Sequence, residues 1–214
     1  MLSLLMFFCI PVQGQPIELE WEKQMGTGST DMFTDVIEDI NGGFTVLGAT
    51  YNESKKNIDN WLVRFDSFGK VTWSESFGSD NSDDCPLHLA QFSNGNYVLA
   101  GKTETADNSK GIIIKTDSLG KQIWIKDFSD KNCFCFEDVI VLENGNVLAA
   151  GTVCDENQRK SIWLVQLNAE GGVVWDKAIT KLDQTIPKSL KKLPDGGFAL
   201  ASPVSYTHLT LPTN

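Results

Sequence analysis

Apolar residues along this chain come in short runs of four to six, alternating or continuous, and Gly paired with Asn or Asp punctuates them. The clearest example is DNWLVRFDSFGKVTW, Asp59 to Trp73. It holds an apolar run (Trp61, Leu62, Val63, Phe65), a turn from Asp66 to Gly69, and a second strand ending on Trp73. The unit recurs as GIIIKTDSLGKQIW at Gly111–Trp124 and as SIWLVQLNAEGGVVW at Ser161–Trp175. Runs this short, bounded by turn residues, predict strands rather than helices.

Two markers keep the same phase. Trp21, Trp73, Trp124 and Trp175 recur every 51 or 52 residues. Each is followed by a second phrase: NGGFTVLG from Asn41, NGNYVLAG from Asn94, NGNVLAAG from Asn144 and DGGFALAS from Asp195. One period therefore predicts four strands. The first runs from about Thr34 to Ile40, with counterparts at Leu87–Phe92, Glu137–Glu143 and Ser189–Leu193. Its first copy also suits a helix face (Phe33, Val36, Ile37, Ile40), but the β-branched third copy, DVIVLENG, decides for strand. Gly42, Gly95, Gly145 and Gly196 then mark tight hairpins, read as two-residue Asn-Gly or Asp-Gly turns. The second strand follows at Phe44–Thr50, Tyr97–Thr103 and Val147–Val153. The third lies around Trp61–Phe65. In the last turn Asp66 accepts backbone N–H bonds while Gly69 takes the left-handed conformation. Asp117 and Gly120 repeat the pair, and Asn168 and Gly171 soften it.

Four antiparallel strands in about 51 residues, in tandem, are the signature of an all-β fold built as a β-propeller. A stacked solenoid is the competing architecture, but its coils usually carry fewer strands and shorter periods. Three full four-stranded blades plus parts of a further one are expected over residues 15–203, an incomplete ring. Trp21, Trp73, Trp124 and Trp175, with Trp61 and Trp163, are expected to fill the seams between blades. Residues 1–14 read as a signal peptide, with Val12 and Gly14 small enough for cleavage before Gln15. No Lys or Arg stands near the start, which suggests a start further upstream, and bulky Phe8 before Cys9 does not fit a lipidation site. Residues 204–214, within VSYTHLTLPTN, resemble translated sequencing-adapter DNA; an ordinary polar C-terminus is the alternative. They carry no functional argument, His208 included.

Composition narrows the function without choosing it. With 41% hydrophobic and 21% charged residues the chain reads as globular. Its net charge of −10 disfavours nucleic acid and anionic membranes as partners. No apolar run reaches the roughly 20 residues of a spanning helix.

Four cysteines follow the signal region: Cys85, Cys133, Cys135 and Cys154. A two-residue turn at Asn144-Gly145 would place Cys135 opposite Cys154, predicting a disulfide there and a companion Cys85–Cys133 link between blades. Four buried thiols are the alternative. GTGSTD (Gly26–Asp31) and GSDNSDD (Gly78–Asp84) are oxygen-rich and would suit calcium, yet no D-x-D-x-D-G pattern is present. Asp31 and Asp83, each ten residues past its Trp, therefore read as loop caps, and no cofactor is expected. His88 falls in a strand and reads as packed or solvated. No catalytic motif appears. Asp66…Gly69…Trp73 departs from the sialidase Asp box, which has Asp-x-Gly where this chain has Asp-x-x-Gly.

The combined phrase W-x(4)-G-x(4)-D, D/N-G-G-F/Y-x-x-x-G, W-L-V-[KR]-F/L-D-x-x-G-x-x-x-W resembles a family of secreted bacterial β-propeller repeat proteins. The resemblance covers Trp21 to about Ser202, where Ser202 replaces the glycine of Gly48, Gly101 and Gly151. It implies a secreted or cell-surface protein, often with a C-terminal sorting domain for type IX secretion, and further blades of the same chain. The expected role is a non-enzymatic binding or scaffold module for a surface protein or glycan. The loops after the second and fourth strands, with YNESKKNIDN, KTETADNSKG and VCDENQRKS, are expected to share one rim. The alternative is a polysaccharide hydrolase or lyase with carboxylates at the channel.

Overall fold

A computed structural model describes residues 3–5, 19–106, 108–128, 132–157, 159–179 and 186–203, with the side chains of 3–5 and 132–134 set aside. Residues 1–2, 6–18 (Cys9 included) and 204–214 lie outside this set. Every regular element among the described residues is a strand. A short pair, β1 (Ser3–Leu5) and β2 (Glu22–Gln24), precedes three four-stranded antiparallel sheets. The first sheet is β3 (Asp31–Glu38), β4 (Phe44–Asn52), β5 (Asn57–Phe65) and β6 (Val71–Phe77). The second is β7 (Asp83–Gln91), β8 (Tyr97–Glu104), β9 (Ser109–Thr116) and β10 (Gln122–Phe128). The third is β11 (Asn132–Val141), β12 (Val147–Cys154), β13 (Lys160–Leu167) and β14 (Val173–Ile179). A hairpin, β15 (Ser189–Lys192) and β16 (Phe198–Ala201), begins a fourth. Each sheet is a simple meander, and the sheets stack face to face without closing a ring. This is a β-propeller array.

The seams are apolar because the middle strands are buried on both faces. Leu47 and Leu62 meet Leu89, Leu99, Ile112 and Ile114 between blades one and two. Val98, Ala100 and Ile113 meet Val139, Ala149 and Val165 between blades two and three. Leu148 and Leu164 meet Leu190 in the next seam. Trp163 lies in the second seam, while Trp61 joins Val46, Val63 and Phe65 on the leading face of blade one. Their indole N–H groups donate to Asp176 and Ser74 respectively.

The outer-strand tryptophans reach across the seams. A Cβ on Gly69 would sit 2.7 Å from the Trp21 ring, and one on Gly120 would sit 2.7 Å from Trp73. One on Gly171 would sit 3.1 Å from Trp124. Each turn glycine thus has two duties: a positive φ (75°, 82° and 83°) and room for the preceding blade's indole. Trp175 packs partly buried in the last seam and donates to Gln166. The Asp66 carboxylate accepts the Phe68 and Lys70 N–H groups, both at 2.9 Å. Asp117 does the same for Leu119 and Lys121.

The hairpins after the first strands differ from the two-residue expectation. Gly145 N–H donates to Leu142, and Leu142 N–H donates to Asn146, enclosing three residues. Gly42, Gly95 and Gly196 close the same loop, each with φ between 76° and 87°. This is a type I turn followed by a left-handed glycine. A bulge in the first strand of each four-stranded blade, at Phe33/Asp35, Pro86/His88 and Phe136/Asp138, adds a second shift. The bulge lies opposite Gly48, Gly101 or Gly151, where a Cβ would strike the carbonyl of Met32, Cys85 or Cys135.

These shifts overturn the expected Cys135–Cys154 bridge. Cys135 faces Thr152 and Cys154 faces Asn132, so no bridge joins them. Cys85 and Cys135 are free thiols, and the Cys133 side chain lies outside the described residues. Burial, reinforced by Glu137, pushes the Cys135 thiol up to about 12, so it is a poor nucleophile.

Gly120 and Gly145 share a positive φ, but nothing lies within 4 Å of a Cβ on Gly145. Gly145→Ala should therefore cost only the left-handed backbone penalty, about 1–2 kcal/mol. Gly120→Ala should cost a further 1–3 kcal/mol or so for the clash with Trp73. Urea denaturation of the two variants checks the difference.

Candidate functional site

Strand reversal places the 1–2 and 3–4 turns at one end of each blade and the 2–3 and 4–1 loops at the other. The turn end is closed. Asp39, 4% exposed, accepts from Arg64 at 2.8 Å, from Thr45 at 2.9 Å and from Tyr97 at 2.9 Å, clamping blade one to blade two. Burial, with the Asp39 charge beside it, pushes the Tyr97 phenol up to about 12.

The other end is open and polar. Lys55, in the 2–3 loop of blade one, donates to the Gly78 carbonyl at 2.9 Å and pairs with Asp59 at 3.4 Å and Asp80 at 3.7 Å. Asn57 donates to the carbonyls of Ser79 and Ser82, the latter at 2.8 Å. Asp83 caps the start of β5 by accepting the Ile58 N–H at 2.8 Å. The two loop sets therefore share one rim, tied together through the segment that carries the chain into blade two.

Within that rim lies a cavity of about 340 Å³ between blades one and two. Asn60, Asp84 and Thr103 form its polar floor, and Ile112, Ile114 and Ile125 its apolar wall. Lys110 and Asp127, paired at 2.8 Å, stand at its edge. Asn60 is fully buried and donates to Asp84 at 2.7 Å and to the Phe77 carbonyl at 3.1 Å. The Asn60 side-chain oxygen has no hydrogen-bond partner. Gly78 is required here, because a Cβ would collide with the Asp59 and Asp84 carboxylates together. Burial pushes the Asp84 carboxyl up to about 6, and the charges of Asp59 and Asp83 add to the rise. The Thr103 hydroxyl and the Lys55 charge oppose it. A shallower recess of about 450 Å³ adjoins, lined by Lys56, Asn57, Asp83 and Asn108 among others.

The channel side gathers a second titratable group. The first strands β3, β7 and β11 bring His88 Nδ1 to 3.4 Å from Asp35 and 3.5 Å from Asp138. The hydrogen bond to Asp35 and the charge of Asp138 raise the His88 pKa against burial and Lys191. Both carboxylates are already engaged. Asp35 accepts the N–H of Val36 and, across the seam, of Leu89; Asp138 accepts those of Val139 and Leu190. These are links between successive inner strands, with His88 set among them.

The equivalence of Asp31 with Asp83 gives way to a different one. Asp31 pairs with Thr50, and Asp84, not Asp83, pairs with Thr103 at the same position relative to the bulge. One extra residue in the 4–1 loop produces the shift. Asp31 does cap its loop, accepting the Thr27 N–H at 2.6 Å and the Thr50 hydroxyl at 2.6 Å. Among the described residues no group of three His, Cys, Asp or Glu side chains comes together at either loop. Sequence reasoning passed over Asn60, Thr103 and the specific role of Asp84. The available signal was Asn60 itself, a polar residue where the other copies carry Gly111 and Ile162.

No family model matches this chain, and no curated protein matches it. Solved sialidase structures do. A Hadza microbial sialidase superposes with a TM-score of 0.52 at 9% identity, over 81% of this chain and 44% of that one. The Trypanosoma rangeli sialidase in complex with sialic acid gives 0.55 at 11% identity, over 94% and 38%. At that identity the likeness is one of fold, and it shows the propeller. The chain spans less than half the length of either sialidase.

Asp84 holds its proton longer folded than unfolded, so its stabilising contribution is complete below about pH 4 and is lost as pH rises to about 6. The expected loss is roughly 3 kcal/mol by linkage. Asp84→Asn, which keeps an acceptor for Asn60, should raise the melting temperature at pH 7.5 and flatten the stability profile between pH 4 and 6. Thermal unfolding across that range checks both.

Proposed function

We propose that this chain is a non-enzymatic extracellular or cell-surface propeller module that binds a surface glycan or protein through its loop rim. One observation carries the reading: the blades repeat, while the rim loops differ in sequence and leave open polar recesses between them. A repeated rigid frame with variable loops is the usual arrangement of a binding surface. The propeller fold is also used by sialidases, one of them solved with sialic acid, which favours a glycan among the candidates. The resemblance to secreted repeat proteins supports export, with type IX sorting as the expected route.

A polysaccharide hydrolase or lyase working at the channel is the second reading, favoured by the convergence of Asp35, His88 and Asp138. The capture of both carboxylates by backbone N–H groups weighs against it, because a general acid or base needs an oxygen available to substrate.

Replacing Glu53, Ser54 and the loop segments 105–108 and 155–159 with Gly or Ser, with Lys55 kept for its bonds to Gly78 and Asp59, should reduce binding to bacterial surface polysaccharide about tenfold or more, while the melting temperature changes little. Unchanged binding would remove the rim from the account. Turnover of a glycan panel that disappears in His88→Gln would favour the enzyme instead.

A further inference from the structure

The cavity between blades one and two has features that a solvated seam does not require. The side-chain oxygen of Asn60 is buried without a partner, and such an orphan is costly unless something supplies the missing hydrogen bond. Asn60 lines the cavity together with the Thr103 hydroxyl and the buried Asp84 carboxyl on which that hydroxyl acts. At about 340 Å³ it falls at the lower end of small-molecule sites and far exceeds the room one water needs.

Charge bookkeeping decides what kind of molecule fits. Lys110 at the edge is matched by Asp127, and Asp59 behind the floor is matched by Lys55. The Lys55 ammonium, bonded to the Gly78 carbonyl, already fills the cationic position of this loop. An anion would meet the Asp84 carboxyl. What remains is a neutral molecule with several hydroxyl groups and a C–H face for the isoleucine wall.

We infer that this cavity is a subsite for one neutral sugar unit, its hydroxyls bonded to Asn60, Thr103 and Asp84 and its apolar face laid on Ile112, Ile114 and Ile125. The inference rests on the rim-binding reading and deepens it by naming the ligand class and the residues. Asn60 Oδ1 accepts a sugar O–H, and the Thr103 hydroxyl both donates and accepts. Ile125, about half exposed, guards the entrance.

The test uses the intact chain and the methyl glycosides of glucose, galactose, mannose and N-acetylglucosamine, titrated by calorimetry and saturation-transfer NMR. At least one should bind. Thr103→Val, which removes one partner and keeps the shape, should weaken it about tenfold, and Ile125→Trp, which fills the mouth from an exposed position, should abolish it. Ile125→Trp should unfold at or above the parent temperature, and Thr103→Val, which also takes a hydroxyl from beside Asp84, should keep the cooperative unfolding transition of the parent. The inference is overturned if no glycoside binds, or if binding ignores both substitutions. It is equally overturned if calcium raises the melting temperature of the parent but not of Asp84→Asn, which would make the site a cation site. Polysaccharide binding that survives Thr103→Val and Ile125→Trp but fails on loop replacement would sink this subsite while leaving the rim reading in place. Loss of neither would sink both.

Discussion

The contact on which the rest of this structure depends is an indole lying where a glycine has no side chain. Trp21, Trp73 and Trp124 each occupy the space beside the turn glycine of the following blade, at Gly69, Gly120 and Gly171. A single four-stranded sheet cannot bury both faces, so blades must stack, and this contact sets their stagger at the outer edge. At the inner edge, the Asp35 and Asp138 carboxylates set it again by accepting backbone N–H groups of the next blade. Between the two anchors the middle strands fill the seam with branched aliphatic side chains. The 51- or 52-residue spacing of the tryptophans is the sequence image of that geometry: each blade must deliver one indole and receive one.

What was legible in the sequence follows from the same cause. The strands, their order and the seam residues all leave an alternation or a recurrent Trp or Gly. Register did not. The three-residue hairpin and the bulge opposite Gly48, Gly101 and Gly151 are answers to backbone crowding, and alternation of apolar residues does not reveal them. Two small shifts moved Cys135 away from Cys154, and one inserted residue put Asp84 rather than Asp83 in the place of Asp31. The cavity was hidden for a related reason. Its floor joins residues from β5, β7 and β8, and their convergence is a property of stacking, not of any local run.

The two ends of the blades divide the work. The turn end is closed by the Asp39, Thr45, Tyr97 and Arg64 network, fully bonded and spanning the first seam. The loop end keeps buried polar groups that are not fully bonded, and a carboxyl whose ionisation the fold opposes. Such groups lower stability. Trp21 Nε1, against the Gly69 turn, is also buried without a partner, but the others lie toward the loop end, and that bias supports the proposal that recognition sits there. At the inner edge the Asp35 and Asp138 carboxylates accept backbone N–H groups of the next blade and so link successive inner strands.

A double-mutant cycle between Trp73 and Gly120 tests the central contact most directly. Trp73→Ala opens a cavity and Gly120→Ala introduces a clash, but in the double variant the new methyl enters the space that the indole has left. The account predicts that the pair is less destabilised than the sum of the singles by about 1–2 kcal/mol, within the range seen for residues in contact. Additivity within about 0.3 kcal/mol, the behaviour of independent sites, would contradict it and would leave the 51-residue period without its physical cause.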